Sequence, residues 1–182
     1  MRYRYKAEKK LSKFAIDAWH NVFPDIGAVG VKKEDDLTLA LAELIISRLT
    51  CLGHECVRTL PNLVTSVNAS LRQRAFIANA NDVDVVCSIH FNASASKQGR
   101  GTETFYISNS GHKLARSVND EIVKLGFRDR GPKYGTWYIL RHTKAPAILV
   151  EVAFCDNAGD MQLLDDVGLE AIANAIVVGL IS

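Results

Sequence analysis

Four residues scattered along the chain, His20, Glu34, His90 and Glu151, are of the types that metal-assisted hydrolysis needs. Two neutral imidazoles and one carboxylate make a zinc shell with a fourth position open for water, and a second carboxylate can serve as general base. Zinc lowers the pKa of bound water toward roughly 7 and polarises a carbonyl, while a glutamate takes the water's proton and passes it to a leaving nitrogen. Such a set hydrolyses an amide. Spacing alone does not single it out, because the four form no compact HExxH pattern. Three of them also have ordinary readings. His20 and His90 read equally as hydrogen-bonded strand-end histidines, and Glu34, with Asp35 and Asp36, as acid at the positive end of a helix dipole. Glu151 is harder to dismiss, since it sits inside the apolar run Ala147-Ile148-Leu149-Val150-Glu151-Val152-Ala153-Phe154, where an unpaired carboxylate is costly to bury.

The elements around these residues must bring them together. Residues 14–20 are apolar on both sides of an extended segment, as in a strand covered on both faces. Leu37, Leu41, Leu44, Ile45, Leu49 and Leu52 recur at helical spacing, and Gly53 stands where a C-cap glycine belongs. A strand at 56–59, a helix from Asn68 or Ser70 to about Asn81 and a strongly apolar strand at 83–91 follow. The second half repeats the rhythm. It predicts a strand at 102–107, a helix at 110–125 closed by Gly126, strands at 138–140 and 147–154, and a last helix from about Gly168. This alternation predicts a single α/β domain with a mainly parallel, twisted sheet covered by helices on both faces. In such sheets ligands bind beyond the carboxyl ends of the strands. His20 and His90 end strands, Glu151 lies late in one and Glu34 precedes the first long helix, so all four point to one rim.

The motifs around them occur in a definite order: Ile16-Asp17-Ala18-Trp19-His20 with Gly27-Ala28-Val29-Gly30, then Glu34-Asp35-Asp36-Leu37-Thr38-Leu39, then Leu71-Arg72-Gln73-Arg74 with Ala78-Asn79. Ser88-Ile89-His90-Phe91-Asn92-Ala93, Gly101-Thr102-Glu103-Thr104-Phe105-Tyr106 and the segment from Pro146 to Phe154 with Asn157 complete it. From about Lys13 to the C-terminus this order resembles the zinc-dependent N-acetylmuramoyl-L-alanine amidases of bacterial cell-separation enzymes and phage endolysins. The resemblance implies that His20, Glu34 and His90 hold one zinc ion per chain and that Glu151 is the catalytic base and acid. The reaction it implies cleaves the amide between the lactyl group of N-acetylmuramic acid and the L-alanine that begins the peptide stem of peptidoglycan. One departure stands out: the family usually has glycines around its first metal histidine, whereas here Trp19 precedes it and Asn21-Val22 follow. Trp19 either packs in the rim or stacks against a sugar or the peptide stem. Asn92, two positions past His90 on the same strand face, is a candidate substrate contact. Arg74 reads as a structural ion pair or a cap on carbonyls rather than a substrate contact.

The remaining features bound this reading. At 182 residues, 48% apolar and 23% charged, the chain fits one globular domain that needs no disulfide framework. We divide it into a basic N-terminal extension at 1–12 and a zinc amidase catalytic domain at 13–182. A net charge of +2 from 22 basic and 20 acidic residues argues against nucleic acid as a partner. Peptidoglycan is the expected partner, with a separate wall-targeting protein an open option, and the oligomeric state stays undetermined. No apolar core follows the basic start, so no signal peptide is expected, and the apolar stretch 169–181 is too short and interrupted to span a membrane. The expectation is synthesis in the cytoplasm and action on the cell wall after release. The basic first ten residues read as a solvated tail, an added strand or an arm drawn to anionic wall polymer. Cys51, His54 and Cys56 offer only three ligands across a helix end and a strand start, which argues against a structural zinc. Cys87 and Cys155 read as small buried thiols, and His112 and His142 as surface histidines, with His142 near enough to the last strand to line the groove. Two competing functions are an inactive peptidoglycan-binding module of the same fold and a zinc hydrolase of another cell-wall amide, such as a deacetylase. The intact set of four residues argues against the first; released acetate would mark the second.

Overall fold

The computed structural model describes residues 11–182, and the basic segment 1–10 lies outside the described residues. The chain runs β1 (Lys13–Ala18), α1 (Glu34–Cys51), β2 (Glu55–Arg58), α2 (Val67–Ala80), β3 (Val85–Asn92), β4 (Thr102–Tyr106), α3 (Asn109–Val123), β5 (Asp129–Tyr134), α4 (Tyr138–His142), β6 (Ala147–Phe154) and α5 (Ala158–Ile181). The six strands form one sheet in the order β2-β1-β3-β6-β4-β5. β2, β1, β3 and β6 pair in parallel; β4 runs antiparallel to β6, and β5 lies parallel to β4 on the outer edge. The expected single α/β domain with a mainly parallel sheet is the observed one.

Both faces are covered, which is why the central strands read as unbroken apolar runs. Alternate residues of each strand point to opposite faces. Phe14, Ile16, Cys87, Ile89, Ile148 and Val150 face the larger core, where α1, α3 and α5 contribute Leu41, Ile45, Val118, Ile122, Ile172 and Ile176. Ala15, Val86, Ala147 and Leu149 face the smaller core with Ala75 and Ala78 of α2 and Ile139 and Leu140 of α4. Among the described residues no helix is long and apolar enough to cross a membrane.

Four expectations are corrected. The strand expected at 138–140 is helix α4: Tyr-Ile-Leu resembles strand composition, but burial of Ile139 and Leu140 in the smaller core is satisfied by one helical turn. β5 was not anticipated, because Gly131 (φ 74°) and Pro132 weaken a strand pattern; Pro cannot donate to a ladder and is accommodated at the sheet edge. α5 starts at Ala158, capped by Asn157 accepting from the Asp160 N–H at 3.0 Å, and Gly168 marks a kink inside it rather than its start. β1 ends at Ala18, so His20 lies in the loop beyond the strand.

Candidate active site

Register places three carboxylate and imidazole side chains in one row across the rim. His90 of β3 is paired with Glu151 of β6, and Glu151 with Glu103 of β4. The parallel strands deliver His90 and Glu151 near their carboxyl ends, and the reversed direction of β4 delivers Glu103 from its beginning. With strands about 4.8 Å apart, successive members of the row are neighbours.

His20 and Glu34 join the row from the loops beside it. His20 Nε2 lies 3.7 Å from Glu34 Oε2, and His90 Nδ1 lies 3.5 Å from Glu34 Oε1. One donor atom from each of His20, Glu34 and His90 falls within 4.8 Å of the others. The outer ring nitrogens are engaged: His20 Nδ1 sits 2.7 Å from Asp25 Oδ1, and His90 Nε2 sits 3.2 Å from Ser88 Oγ, which donates to Asp17 Oδ2 at 2.7 Å. Each outer bond fixes the tautomer that turns the other nitrogen's lone pair inward, the arrangement that supports a metal ligand. Burial pushes the His90 imidazole below its ordinary pKa, outweighing the attraction of Glu34, which favours the neutral ring that a metal ligand requires. Burial pushes the Glu34 carboxyl up, but its contacts with His90, the Ala28 N–H at 2.9 Å and His20 together hold it below the ordinary value. The donor set is therefore an ionised carboxylate between two imidazoles, which fits a divalent cation.

One guanidinium ties the two outer bonds together. Arg74 of α2 is fully buried, and its Nη1 donates to Asp17 Oδ1 at 2.7 Å and to the Ala18 carbonyl at 2.9 Å. Its Nη2 donates to the His20 carbonyl and lies 3.6 Å from Asp25 Oδ2. Thr59 Oγ1 donates to the same Asp17 oxygen at 2.5 Å. Arg74 thus holds Asp17 behind His90 and Asp25 behind His20, the structural role its position suggested.

His20 (φ 62°) and Asn21 (φ 65°) both adopt the left-handed backbone region, which favours glycine. The turn is held by Asn21 Nδ2, which donates to the Trp19 carbonyl and to Thr38 Oγ1, each at 2.9 Å. This accounts for the non-glycine sequence around His20. Trp19 is seated in the smaller core at 9% exposure, its ring 4.7 Å from that of His90, with the Arg74 guanidinium 5.3 Å from its centroid. Its position is that of packing support behind the histidines, not of an open stacking surface.

Glu151 is buried at 8% exposure, and its Oε2 has no hydrogen-bond partner. Burial, reinforced by the charges of Glu34 and Glu103, pushes its carboxyl well above the ordinary value in the metal-free protein. Asn92 is half-buried, donates from Nδ2 to Glu103 Oε1 at 3.0 Å and accepts the Ala93 N–H at 2.8 Å. Glu103 also receives Arg130 Nε at 2.7 Å and Lys133 Nζ. Asp17, Asp25, Glu103, Arg130 and Lys133 were not among the residues singled out for chemistry. Asp17 carried a readable signal, a charge inside an apolar strand, whereas Arg130 and Lys133 lie on the unanticipated β5.

The other histidines and the cysteines stand apart. His142 is exposed, stacked 3.8 Å from Tyr138, and its carbonyl accepts Asn79 Nδ2 at the end of α2, the rim opposite the site. The surface reading of His142 therefore holds, and its side chain does not line the groove at the opposite rim. His112 is exposed beside Tyr106. Cys87 and Cys155 are buried thiols; burial pushes both up, Cys155 to about 11.

The family model described as N-acetylmuramoyl-L-alanine amidase matches residues 15–182. The N-acetylmuramoyl-L-alanine amidase LytC of Bacillus subtilis (strain 168) is 33% identical over 148 residues, 77% of this chain and 29% of that protein. An endolysin of Bacillus phage SPP1 is 32% identical over 158 residues, 82% of this chain and 57% of its own length. Among solved structures, the catalytic domain of the CD27L endolysin targeting Clostridia Difficile has a TM-score of 0.86 at 28% identity, covering 93% of this chain and 96% of that one. The catalytic domain of CwlV, an N-acetylmuramoyl-L-alanine amidase from Bacillus (Paenibacillus) polymyxa var. colistinus, has a TM-score of 0.82 at 32% identity with the same coverage. The chain therefore spans less than two thirds of LytC and of the phage endolysin, and nearly all of the two catalytic domains.

Proposed function

This chain belongs to the N-acetylmuramoyl-L-alanine amidase family, and on that premise we propose that it hydrolyses the amide between N-acetylmuramic acid and L-alanine in peptidoglycan. The observation that carries the reading is the inward-facing His20, Glu34 and His90 donor set with Glu151 in register beside His90. The three would hold one zinc ion. Bound there, zinc supplies Lewis acidity, lowering the pKa of water toward about 7 and polarising the scissile carbonyl.

The chain's own residues do the rest. Asp25 and Ser88 hold the two rings in the tautomers that face Glu34. Glu151, with an unpartnered oxygen, accepts a proton from the attacking water and returns it to the alanine nitrogen as the C–N bond breaks, so that the amine leaves neutral. Glu151, in register beside His90, would be shifted toward its ionised form by a charge held at the donor set and so prepared as a base. Asn92 and Glu103 line the rim next to it. On this reading the enzyme acts at the cell wall, as an endolysin or autolysin.

Digestion of purified wall tests the proposal. New L-alanine amino termini are expected; new reducing sugar ends or released acetate in their place would rule it out. Glu151→Gln separates the enzyme from a binding module, because it should keep wall binding and lose lysis. Wall lysis by that variant at the wild-type rate would remove Glu151 from the chemistry.

A further inference from the structure

The edge strand β5 sets two cations beside the catalytic row. Arg130 and Lys133 both donate to Glu103 Oε2, while the other oxygen of that buried carboxylate accepts from Asn92. One carboxylate thus faces two cations, and a unit of positive charge is left over. The cations are not sealed in, since their side chains are 30% and 39% exposed. Arg130 engages Glu103 through Nε alone; its guanidinium lies 5.0 Å over the Phe154 ring, and its Nη groups make no hydrogen bond to a described residue. A fork held by its inner nitrogen, with its outer nitrogens free, is suited to a second carboxylate.

The row also gives the substrate a direction. The group that protonates the leaving nitrogen, Glu151, lies on the β4 side of His90. The acyl half of the scissile bond therefore lies over the histidines, and the departing peptide runs across β4 toward β5. β5 is two strands beyond β6, about 10 Å from the Glu151 backbone. An extended peptide advances about 3.3–3.6 Å per residue, so it takes about three residues to reach that strand, whereas the Arg130 and Lys133 head groups meet Glu103 on β4, one strand nearer, within reach of the second. In peptidoglycan the second stem residue is a glutamate joined through its side-chain carboxyl, which leaves its α-carboxyl free unless it is amidated.

We propose that Arg130 and Lys133, oriented by Glu103, bind the free α-carboxylate of the second stem residue and make the enzyme select acidic over amidated stems. The inference rests on the amidase reading above.

The test compares two soluble substrates whose second residue is joined through its γ-carboxyl as in the wall, muramoyl-L-alanyl-γ-D-glutamyl-L-lysinamide and its D-isoglutaminyl counterpart, on the zinc-loaded protein. The wild type should favour the acidic substrate by about tenfold or more in kcat/KM, chiefly through KM, as expected for charge-assisted hydrogen bonds. Arg130→Gln and Lys133→Met should each bring the ratio toward one, and Lys133→Arg should keep it. Because the ratio is taken within one preparation, partial misfolding cancels. The wild-type preference must also shrink as salt rises to about 1 M, which screens a half-exposed pair. Equal cleavage of both substrates by the wild type, or a ratio unchanged in both loss-of-charge variants, overturns the subsite and leaves the amidase reading standing. Failure to cleave either substrate or the intact wall overturns both.

Discussion

Replacing Arg74 examines the logic of the site most directly, because that one side chain stands behind both histidines. In Arg74→Ala the Asp25 Oδ2 atom loses its nearest cation and Asp17 loses its ion pair, keeping only Thr59 and Ser88. Removing one partner of a buried ion pair costs about 3–5 kcal/mol. That is a large part of the roughly 5–15 kcal/mol by which a domain is stable. In a chain of 150–250 residues each kcal/mol moves Tm by about 2–4 °C, so a fall of roughly 6–20 °C is expected. Arg74→Lys is the finer probe. It keeps the charge, but a single ammonium cannot serve Asp17, two carbonyls and Asp25 at once. Loss of the outer support of metal ligands typically weakens affinity by about 10–100-fold. Thermal melts of the metal-free protein and zinc competition against a chromophoric chelator give the two readouts. If Arg74→Lys melts within a degree or two of wild type and binds zinc as tightly, the claim that Arg74 braces both ligands is wrong.

Further outcomes follow from the same geometry. Glu151 has a folded-state pKa raised above its unfolded value, so its contribution to metal-free stability is fully present below the ordinary glutamate pKa and is lost as pH rises toward the raised one. Metal-free Glu151→Gln should therefore gain stability over wild type as pH climbs from about 4.5; a gap between the two melting curves that does not change with pH would contradict the burial argument. Asn21→Ala should lower stability by about 1–2 kcal/mol, because it keeps a left-handed residue and loses both side-chain bonds, whereas Asn21→Gly should cost less; denaturant titrations that rank them the other way would refute this. Stripping the metal with a chelator should abolish wall lysis and lower Tm by the linkage of binding to folding, with zinc restoring both. Lysis that survives complete removal would exclude the His20, Glu34 and His90 set as a metal centre.

How far the sequence reveals this site depends on the kind of signal each residue carries. His90 and Glu151 are polar interruptions of long apolar strands, and burial makes such residues conspicuous. Asp17 interrupts β1 in the same way and answers to the same argument, although only Arg74 of a distant helix shows why it is there. Glu34 looks like any acid in a first helical turn; what distinguishes it is that it is buried and turned toward two imidazoles, which the helix pattern does not encode. The direction of β4 is less accessible. A parallel neighbour of β3 would need a crossover connection, usually a helix, and no helix separates β3 from β4. That hint denies parallel pairing but does not say that β4 lies beyond β6. β5 is hidden by Gly131 and Pro132, and Arg130 and Lys133 are hidden with it.

The reversal at β4 gathers one edge of the sheet into a single piece of chain. Residues 102–134 form one uninterrupted stretch, β4 through β5, fastened to the parallel strands through the β4–β6 backbone ladder. His20, Glu34, His90 and Glu151 all lie outside it. That ladder is indifferent to most side-chain identities, so what must match the rest of the domain is α3, whose Ala115, Val118 and Ile122 pack in the larger core. Glu103 ties the same stretch to the chemistry, because its charge helps to raise the Glu151 carboxyl, and a change in β4 is therefore felt at the base as well as at the rim.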